Sequence, residues 1–186
     1  MNAYDFDKTI YKNDSSADFF LFCLKRHPKI LLLTPKIILS FAKFYIFNKG
    51  TKTQFKEKVF SFVKYIDKER DIDDFWKKHK GRIKDFYIRQ QQNDDVIISA
   101  SPVFLLEPVC SALGIKHLIA SEVDVETGKF LKENCHGKEK VKRFREVFGD
   151  ATVDSFYSDS YSDTPMAEIA QQAFIVKNEK ITNWEF

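Results

Sequence analysis

The stretch Ala3-Tyr4-Asp5-Phe6-Asp7-Lys8-Thr9 places two carboxylates directly after a short apolar run. If this run forms a β-strand, Asp5 and Asp7 lie in the loop that follows it, and a curled loop can direct both carboxylates into one site. Such a pair can supply a nucleophile or metal ligand beside an acid or base. Carboxylates with this spacing are also common on protein surfaces, so the rest of the chain must decide whether they form a site.

Four further apolar runs follow along the chain, and helix-like stretches separate the later ones. The runs are Val96–Ile98, His117–Ala120, Val153–Tyr157 and Phe174–Val176, with helices predicted at Pro102–Leu113 and Lys138–Phe148 and a hairpin at Ser121–Leu131. Alternating strands and helices are typical of βαβ units. The sequence therefore predicts an α/β protein with a Rossmann-like core built on a parallel sheet.

The residues between the first and second predicted strands break this alternation. Apolar residues recur there at helical spacing in three stretches, Asp14–Lys25, Thr53–Ile66 and Asp73–Arg89, and Asp14 or Ser15 is a suitable N-cap for the first. The pattern predicts a helical cap inserted after the first strand. We assign residues 13–89 to this cap and residues 1–12 and 90–186 to the catalytic core.

Polar residues also lie at the ends of other predicted core strands. Ser99 follows Val96–Ile98, Asp159 and Asp163 follow Val153–Tyr157, and Lys140 begins the helix before that strand. Open α/β sheets form their sites at the carboxyl ends of the strands. Taken singly, Ser99 and Asp163 could be helix N-caps and Lys140 a solvated charge, but the ordered combination favours one shared site.

As a set, these motifs resemble those of the haloacid dehalogenase-like superfamily, in its phosphoserine-phosphatase-like branch (subfamily IB). The matching stretches are Asp5-Phe6-Asp7-Lys8-Thr9, Ile98-Ser99, Gly137-Lys138-Glu139-Lys140 and Tyr157-Ser158-Asp159-Ser160-Tyr161-Ser162-Asp163. The predicted helical insert falls where that branch carries its cap. A looser resemblance, through His117–Ser121 and Cys135–Asp163, connects the chain with bacterial phosphatidylglycerophosphate phosphatases.

The resemblance implies an Mg²⁺-dependent phosphatase that works through an aspartyl-phosphate. Asp5 would be the nucleophile and Asp7 the acid and base. Asp5, the backbone carbonyl of Asp7 and Asp159 would hold Mg²⁺, a hard cation that prefers oxygen ligands. The remaining implied roles are phosphoryl binding by Ser99, the amide of Ala100 and Lys140, support of the metal shell or of Lys140 by Asp163, and fixing of the loop by Thr9.

The substrate is less well defined than the chemistry. Asp14 stands nine residues after Asp5, where phosphoserine-specific members have a glutamate that meets the substrate amine, so Asp14 is a candidate cap contact with the substrate. A lipid head-group phosphate and phosphoserine or another small metabolite phosphate are therefore alternatives. Asp7 favours phosphoester hydrolysis over dehalogenation, since a halide needs no proton on leaving. A non-hydrolytic receiver module would carry its phospho-accepting aspartate on an interior strand and lack so large an insert.

Charge and hydropathy patterning suggest a further partner. Of the 186 residues, 30 are Lys or Arg and 27 are Asp or Glu, a net charge of +3 that does not imply nucleic acid. Within Ile30–Phe47, mostly apolar residues surround lysines at positions 36 and 43, which continue a spacing of seven from Lys29. This segment predicts either an interfacial helix on an anionic membrane or a helix whose apolar faces pack inside the cap.

The cysteines and the N-terminal residues bear on location. The three cysteines, Cys23, Cys110 and Cys135, form no close pair, so neither a disulfide framework nor a cysteine metal site is expected. The N-terminal residues include charges where a signal peptide has its apolar run. We therefore expect a cytoplasmic protein, with peripheral contact at the inner face of the membrane if the interfacial helix forms.

Overall fold

A computed structural model describes residues 1–186 and contains one six-stranded sheet in the order β3-β2-β1-β4-β5-β6. The strands are β1 Ala3–Tyr4, β2 Val96–Pro102, β3 His117–Ser121, β4 Val153–Ser158, β5 Ala170–Lys177 and β6 Lys180–Asn183. The first five are parallel and β6 is antiparallel to β5. The Rossmann-like α/β fold is thus confirmed, whereas the short polar β6 was not predicted.

Helices fill the chain between β1 and β2. They are α1 Ser15–Arg26, α2 Thr34–Phe41, α3 Lys52–Phe60, α4 Lys68–His79 and α5 Asp85–Gln90, joined in part by 3-10 segments at Pro28–Leu33, Ser61–Tyr65 and Lys80–Arg82 and a π-helical turn at Ala42–Ile46. The prediction of α1 is confirmed, and Asp14 Oδ1 accepts a hydrogen bond from the amide of Ala17 at its start. The predicted division into core and cap stays a prediction.

Two of the predicted helices differ from those observed. The stretch Thr53–Ile66 is not one α-helix, because α3 ends at Phe60 and a tighter turn follows. The single helix predicted over Asp73–Arg89 is wrong: α4 starts earlier, at an N-cap formed by Asp67, and ends at His79. A 3-10 turn and the extended residue Ile83, which bridges to Tyr11, then separate α4 from α5.

Three helices complete the chain after β2. They are α6 Val103–Ala112, α7 Lys138–Phe148 and α8 Thr164–Ala167. The region predicted as a hairpin has an antiparallel bridge between Val123 and Phe130 around the Gly128 turn, but no extended strands. Gly128 has a φ of +73°, and a Cβ there would lie 2.3 Å from the carbonyl oxygen of Phe60. Only glycine therefore allows this turn to pack against the end of α3.

Two hydrophobic clusters cover the two faces of the sheet. The larger one joins the helical insert to the sheet, because Tyr4 of β1 packs in the same cluster as Phe19, Phe62 and Phe75. The smaller cluster contains Ala3, the neighbouring residue on β1, together with residues of α7 and α8. Successive residues of a strand point to opposite faces, so a strand of two residues contributes to both clusters.

The segment of residues 28–47 contrasts with these clusters, and we refer to it as the exposed apolar segment. Ile30 and Leu33 are buried, but Leu31, Leu32, Ile38, Leu39, Phe41, Tyr45, Ile46 and Phe47 are exposed, with Leu32 at 72%. Packing inside the insert, one of the two alternatives for this segment, accounts for few of its apolar side chains. No helix of the protein has the length and apolar character needed to cross a membrane.

Candidate active site

The carboxyl ends of β1, β2 and β4 meet at one edge of the sheet and surround a cavity of about 220 Å³, which we call the carboxylate cavity. Ala3 of β1 pairs with Val96 on one side and Phe156 on the other, so the loops after these strands are neighbours. The cavity is lined by five acids, Asp5, Asp7, Asp14, Asp159 and Asp163, and by four lysines, Lys8, Lys52, Lys56 and Lys140. Ser16, Ala100, Ser101, His136, Ser160 and Ser162 complete the lining.

A buried lysine connects two of these acids. Lys140 Nζ donates hydrogen bonds to Asp5 Oδ1 at 2.6 Å and to Asp163 Oδ2 at 2.7 Å. Burial opposes the charge on Lys140, but the two carboxylates outweigh burial and raise the pKa of Lys140 above its ordinary value. Because breaking such a pair would leave buried charges without partners, the three side chains hold one another in place.

The nucleophile candidate Asp5 is buried beside this lysine. Burial raises the pKa of its carboxyl to about 7, and the Lys140 ammonium opposes that rise. Thr9 Oγ1 donates to Asp5 Oδ2 at 3.3 Å, which places Thr9 within the loop that follows β1. Both oxygens of Asp5 thus have donors, and the orientation of the carboxylate is fixed before any substrate binds.

The second carboxylate of the motif is oriented by the start of α1 and the end of β2. Asp7 Oδ1 accepts from the amide of Ser15 at 2.7 Å, and Asp7 Oδ2 accepts from the Ser101 hydroxyl. Burial, followed by the nearby charge of Asp14, raises the pKa of Asp7 to about 6, although its hydrogen bonds act in the opposite direction. A carboxyl with a pKa in this range can carry a proton close to neutral pH, as an acid and base requires.

The chemistry of the remaining acids fits a hard divalent cation. Asp163 Oδ1 is buried without a hydrogen-bond partner. The carboxylate of Asp159 lines the cavity, and only its backbone carbonyl accepts a side-chain hydrogen bond, from Lys177. Burial raises the pKa of Asp159. No group of three or more His, Cys, Asp or Glu side chains forms a ready metal site. The predicted ligand set would not form such a group, since it has two carboxylates, of Asp5 and Asp159, and the backbone carbonyl of Asp7.

The two phosphate-binding candidates on β2 differ in burial. Ala100 lines the cavity, whereas Ser99 is fully buried on β2, where its hydroxyl oxygen accepts from the amide of Ser101 at 3.1 Å. The strand continues to Pro102, so Ser99 does not begin a helix as its sequence context suggested. Asp14 lines the cavity while it caps α1.

Sequence reasoning missed several residues that line the cavity. Ser101 holds Asp7, and its only sequence signal was its position in the stretch Ser99-Ala100-Ser101-Pro102. Lys52 and Lys56 carry no motif signal, but their spacing of four residues puts them on one face of α3. His136 directly precedes the glycine of the Lys140 motif, and this position is the signal that could have identified it. The three cysteines are buried and unpaired, and burial raises the pKa of each.

Comparison with known proteins identifies the class to which this site belongs. The model of the haloacid dehalogenase-like hydrolase family matches residues 3–168, which include every strand end that lines the cavity. The chain therefore belongs to this family, as its motifs predicted. Membership in this family excludes the alternative of a receiver module. The position of the strand that carries Asp5 does not exclude it, because β1 lies in the interior of the sheet.

Particular relatives narrow the similarity. The chain is 33% identical over 97 residues to a probable phosphatase of Mycobacterium tuberculosis, a match to 47% of this chain and 33% of that protein. The matched segments span 33–37% of the lengths of the curated relatives, about a third.

Two solved structures share the fold over 93% of this chain. A Bordetella pertussis protein of unknown function has a TM-score of 0.75 at 18% identity, with 87% of its chain covered. A phosphoserine phosphohydrolase-like protein of Francisella tularensis has a TM-score of 0.58 at 18% identity, with 86% covered. The similarity to the predicted phosphoserine-phosphatase-like branch is confirmed at the level of fold.

Proposed function

We propose that this protein is a Mg²⁺-dependent phosphatase that hydrolyses phosphate monoesters through an aspartyl-phosphate on Asp5. The observation that carries the proposal is the buried arrangement of Asp5, Lys140 and Asp163, joined at 2.6 and 2.7 Å beside Asp7. It provides a fixed carboxylate for attack and a fixed cation for the charge of the transferred group.

In the first step, the Asp5 carboxylate attacks phosphorus and the bond between phosphorus and the alcohol oxygen breaks. Asp7 donates its proton to the departing oxygen, so the alcohol leaves neutral. In the second step, Asp7 takes a proton from water, the water oxygen attacks phosphorus, and the Asp5 carboxylate is released with inorganic phosphate. Dividing the hydrolysis in this way replaces one difficult displacement by two easier ones.

The residues around the phosphoryl group divide the remaining work. Ser99, the amide of Ala100 and Lys140 would bind its oxygens, while Asp163 keeps Lys140 in place. Asp5, the Asp7 carbonyl and Asp159 would hold Mg²⁺, which when bound neutralises charge on the phosphoryl oxygens. Thr9 fixes the loop, and Asp14 is positioned at the cavity wall to contact the alcohol part of the substrate.

For the physiological substrate we propose a phospholipid head-group phosphate, with phosphoserine or another small metabolite phosphate as the alternative. The exposed apolar segment supports the lipid, because folding leaves several of its leucines and phenylalanines in solvent, namely Leu31, Leu32, Leu39, Phe41 and Phe47. Exposed apolar patches of this kind mark interaction surfaces. The exposed Lys29, Lys36 and Lys43 fit an anionic membrane, which would place the protein peripherally at the inner face.

A phosphatase panel tests the reaction class and substrate together. It should contain phosphatidylglycerophosphate in mixed micelles, phosphoserine, sugar phosphates and nucleotides, each with Mg²⁺ and with EDTA. We expect Mg²⁺-dependent release of phosphate, highest for the lipid. Hydrolysis of phosphoserine above all others would select the alternative substrate, and turnover of chloroacids without phosphatase activity would contradict the proposal.

A further inference from the structure

Helix α3 presents two lysines to the carboxylate cavity from the side of the insert. Lys52 and Lys56 are four residues apart and therefore lie on one face of the helix. Lys56 has partners within the protein, since its Nζ donates to the carbonyl of Ala100 at 2.8 Å and to Asn134 Oδ1 at 2.9 Å. Lys52, one turn earlier, has no hydrogen bond or ion pair for its ammonium group.

A second cavity residue near Lys52 also lacks a partner. The ring of His136 is half-buried and makes no hydrogen bond. Burial lowers the pKa of both Lys52 and His136, and the Lys52 charge contributes to the shift of His136. Polar groups withdrawn from water without partners are costly. The arrangement is therefore one that an incoming anion would stabilise.

Neighbouring contacts indicate which part of a substrate would meet these groups. Lys56 holds the carbonyl of Ala100, and the next residue, Ser101, holds the carboxylate of Asp7. Asp14 lines the same cavity, and its charge acts on both Asp7 and Lys52. Lys52 therefore lies within reach of the alcohol that would take its proton from Asp7. The transferred phosphoryl group would meet Lys140, whose ammonium group donates to Asp5.

We propose that Lys52 and His136 form a subsite for a second anionic group, a carboxylate or a phosphodiester, carried by the alcohol part of the substrate. The inference rests on the proposed phosphatase function and narrows its substrates to phosphate monoesters with this second charge. Lys56 is a positioning residue that holds the β2 end against α3. The charges of Asp163 and Asp14 act on Lys52, but neither carboxylate forms an ion pair with it: Asp163 is paired with Lys140, and Asp14 caps α1.

The test uses three propyl phosphates that end in a methyl group, a carboxylate or a methyl phosphodiester. The parent protein should prefer one or both anionic esters in kcat/KM, and the preferred ester identifies the source of the charge. Lys52→Gln should lower that preference by about tenfold, equivalent to about 1.4 kcal/mol. Lys52→Arg should restore most of it, and His136→Gln should lower it less. The matched control Lys58→Gln removes an exposed charge on another face of α3 and should leave the preference unchanged.

Calorimetry with the Asp5→Asn protein gives a readout that needs no turnover. The propyl phosphate with the preferred anionic end should bind more tightly than the one with the methyl end. Adding Lys52→Gln should remove this difference in affinity. Equal kinetic losses for all three esters, or an unchanged preference, would overturn the subsite and leave the phosphatase function standing. Failure of the parent to hydrolyse any phosphate ester would contradict the proposed function instead, and binding by Asp5→Asn would still decide the subsite.

Discussion

The carboxylate cavity and the exposed apolar segment differ in which side chains the fold buries. At the cavity, Asp5, Lys140 and Asp163 are buried and hydrogen-bonded to one another. In the segment, residues such as Leu32, Leu39 and Phe47 are more than half exposed. The first region is unusual because charges are buried, the second because apolar groups are not. Each departs from what folding alone favours, and we relate the first to catalysis and the second to a partner surface.

The largest effect should come from the cavity. Asp5→Asn should lower phosphatase activity by about a thousandfold or more, because an amide cannot attack phosphorus. Initial rates with p-nitrophenyl phosphate and Mg²⁺ measure the loss. As a control, Asp150→Asn removes an exposed carboxylate and should retain the parent rate. Substantial turnover by Asp5→Asn would rule out the covalent mechanism.

The buried ion pairs should also matter for stability. Lys140→Met leaves Asp5 and Asp163 without their cation, and removing one partner of a buried pair costs about 3–5 kcal/mol. Denaturant unfolding at neutral pH should show this loss together with the loss of activity. Because protonation neutralises the stranded carboxylates, the stability difference from the parent should shrink as the pH is lowered. A difference that stays constant with pH would contradict the assigned ion pairs.

Loss of a metal ligand should have a smaller and selective effect. Asp159→Ala should raise the Mg²⁺ concentration needed for half-maximal activity by about ten- to a hundredfold. The KM for the phosphate ester should change much less, which distinguishes a metal ligand from a substrate contact. Full activity of the parent after treatment with EDTA would refute the metal site.

The exposed apolar segment should respond in a different assay. Replacing Lys29, Lys36 and Lys43 with glutamine should weaken binding to anionic vesicles about a hundredfold, since each lysine contributes about 1 kcal/mol at such a surface. Sedimentation with anionic and zwitterionic vesicles measures this, and hydrolysis of a small phosphate should hardly change.

A matched variant separates the contribution of this surface to vesicle binding from the effect of net charge. Glutamine at Lys78, Lys116 and Lys180 removes the same charge from other exposed positions and should leave vesicle binding near the parent value. Absence of parent binding, or binding that is equal for both lipids and insensitive to salt, would count against the membrane surface.

The smallest expected effect concerns pH and stability in the metal-free protein. The pKa of Asp7 is raised to about 6 in the folded state from an ordinary 3.8, so the folded protein binds more protons between these values. The stabilisation of the folded state by the proton on Asp7 is present at low pH and is lost as the pH rises through about 6. Asp7→Asn should therefore be more stable than the parent above pH 6, by about 1–2 kcal/mol allowing for partial exposure, and should lose this advantage near pH 4. Unfolding in EDTA across this range tests the sign.

The sequence pattern predicted the catalytic candidates of the cavity better than the residues that line the cavity from α3. Asp5, Lys140 and Asp163 could be predicted to meet because each lies at the end of a recognisable strand or the start of a helix, and parallel strands end at one edge. Lys52 could not, because its place depends on how α3 packs against the core. That packing requires Gly128 beneath Phe60, a long-range contact that no local pattern records.

The differences in fold have similar causes. A continuous helical pattern over Asp73–Arg89 gave no sign that Ile83 would extend to bridge Tyr11. Periodicity also identified the apolar side chains of the exposed apolar segment without indicating whether another element covers them. Burial is a property of the assembled molecule, so the choice between packing and exposure needed the structure.

Trapping the covalent intermediate tests the central claim most directly. In Asp7→Asn the second step lacks its base, whereas nitrophenolate can leave without a proton. With p-nitrophenyl phosphate and Mg²⁺, this variant should release a burst of nitrophenolate close to the enzyme concentration. Acid quenching and peptide mapping should then find one phosphoryl group on Asp5. Nitrophenolate release with no phosphorylated peptide, or a phosphoryl group on another residue, would contradict Asp5 as the nucleophile.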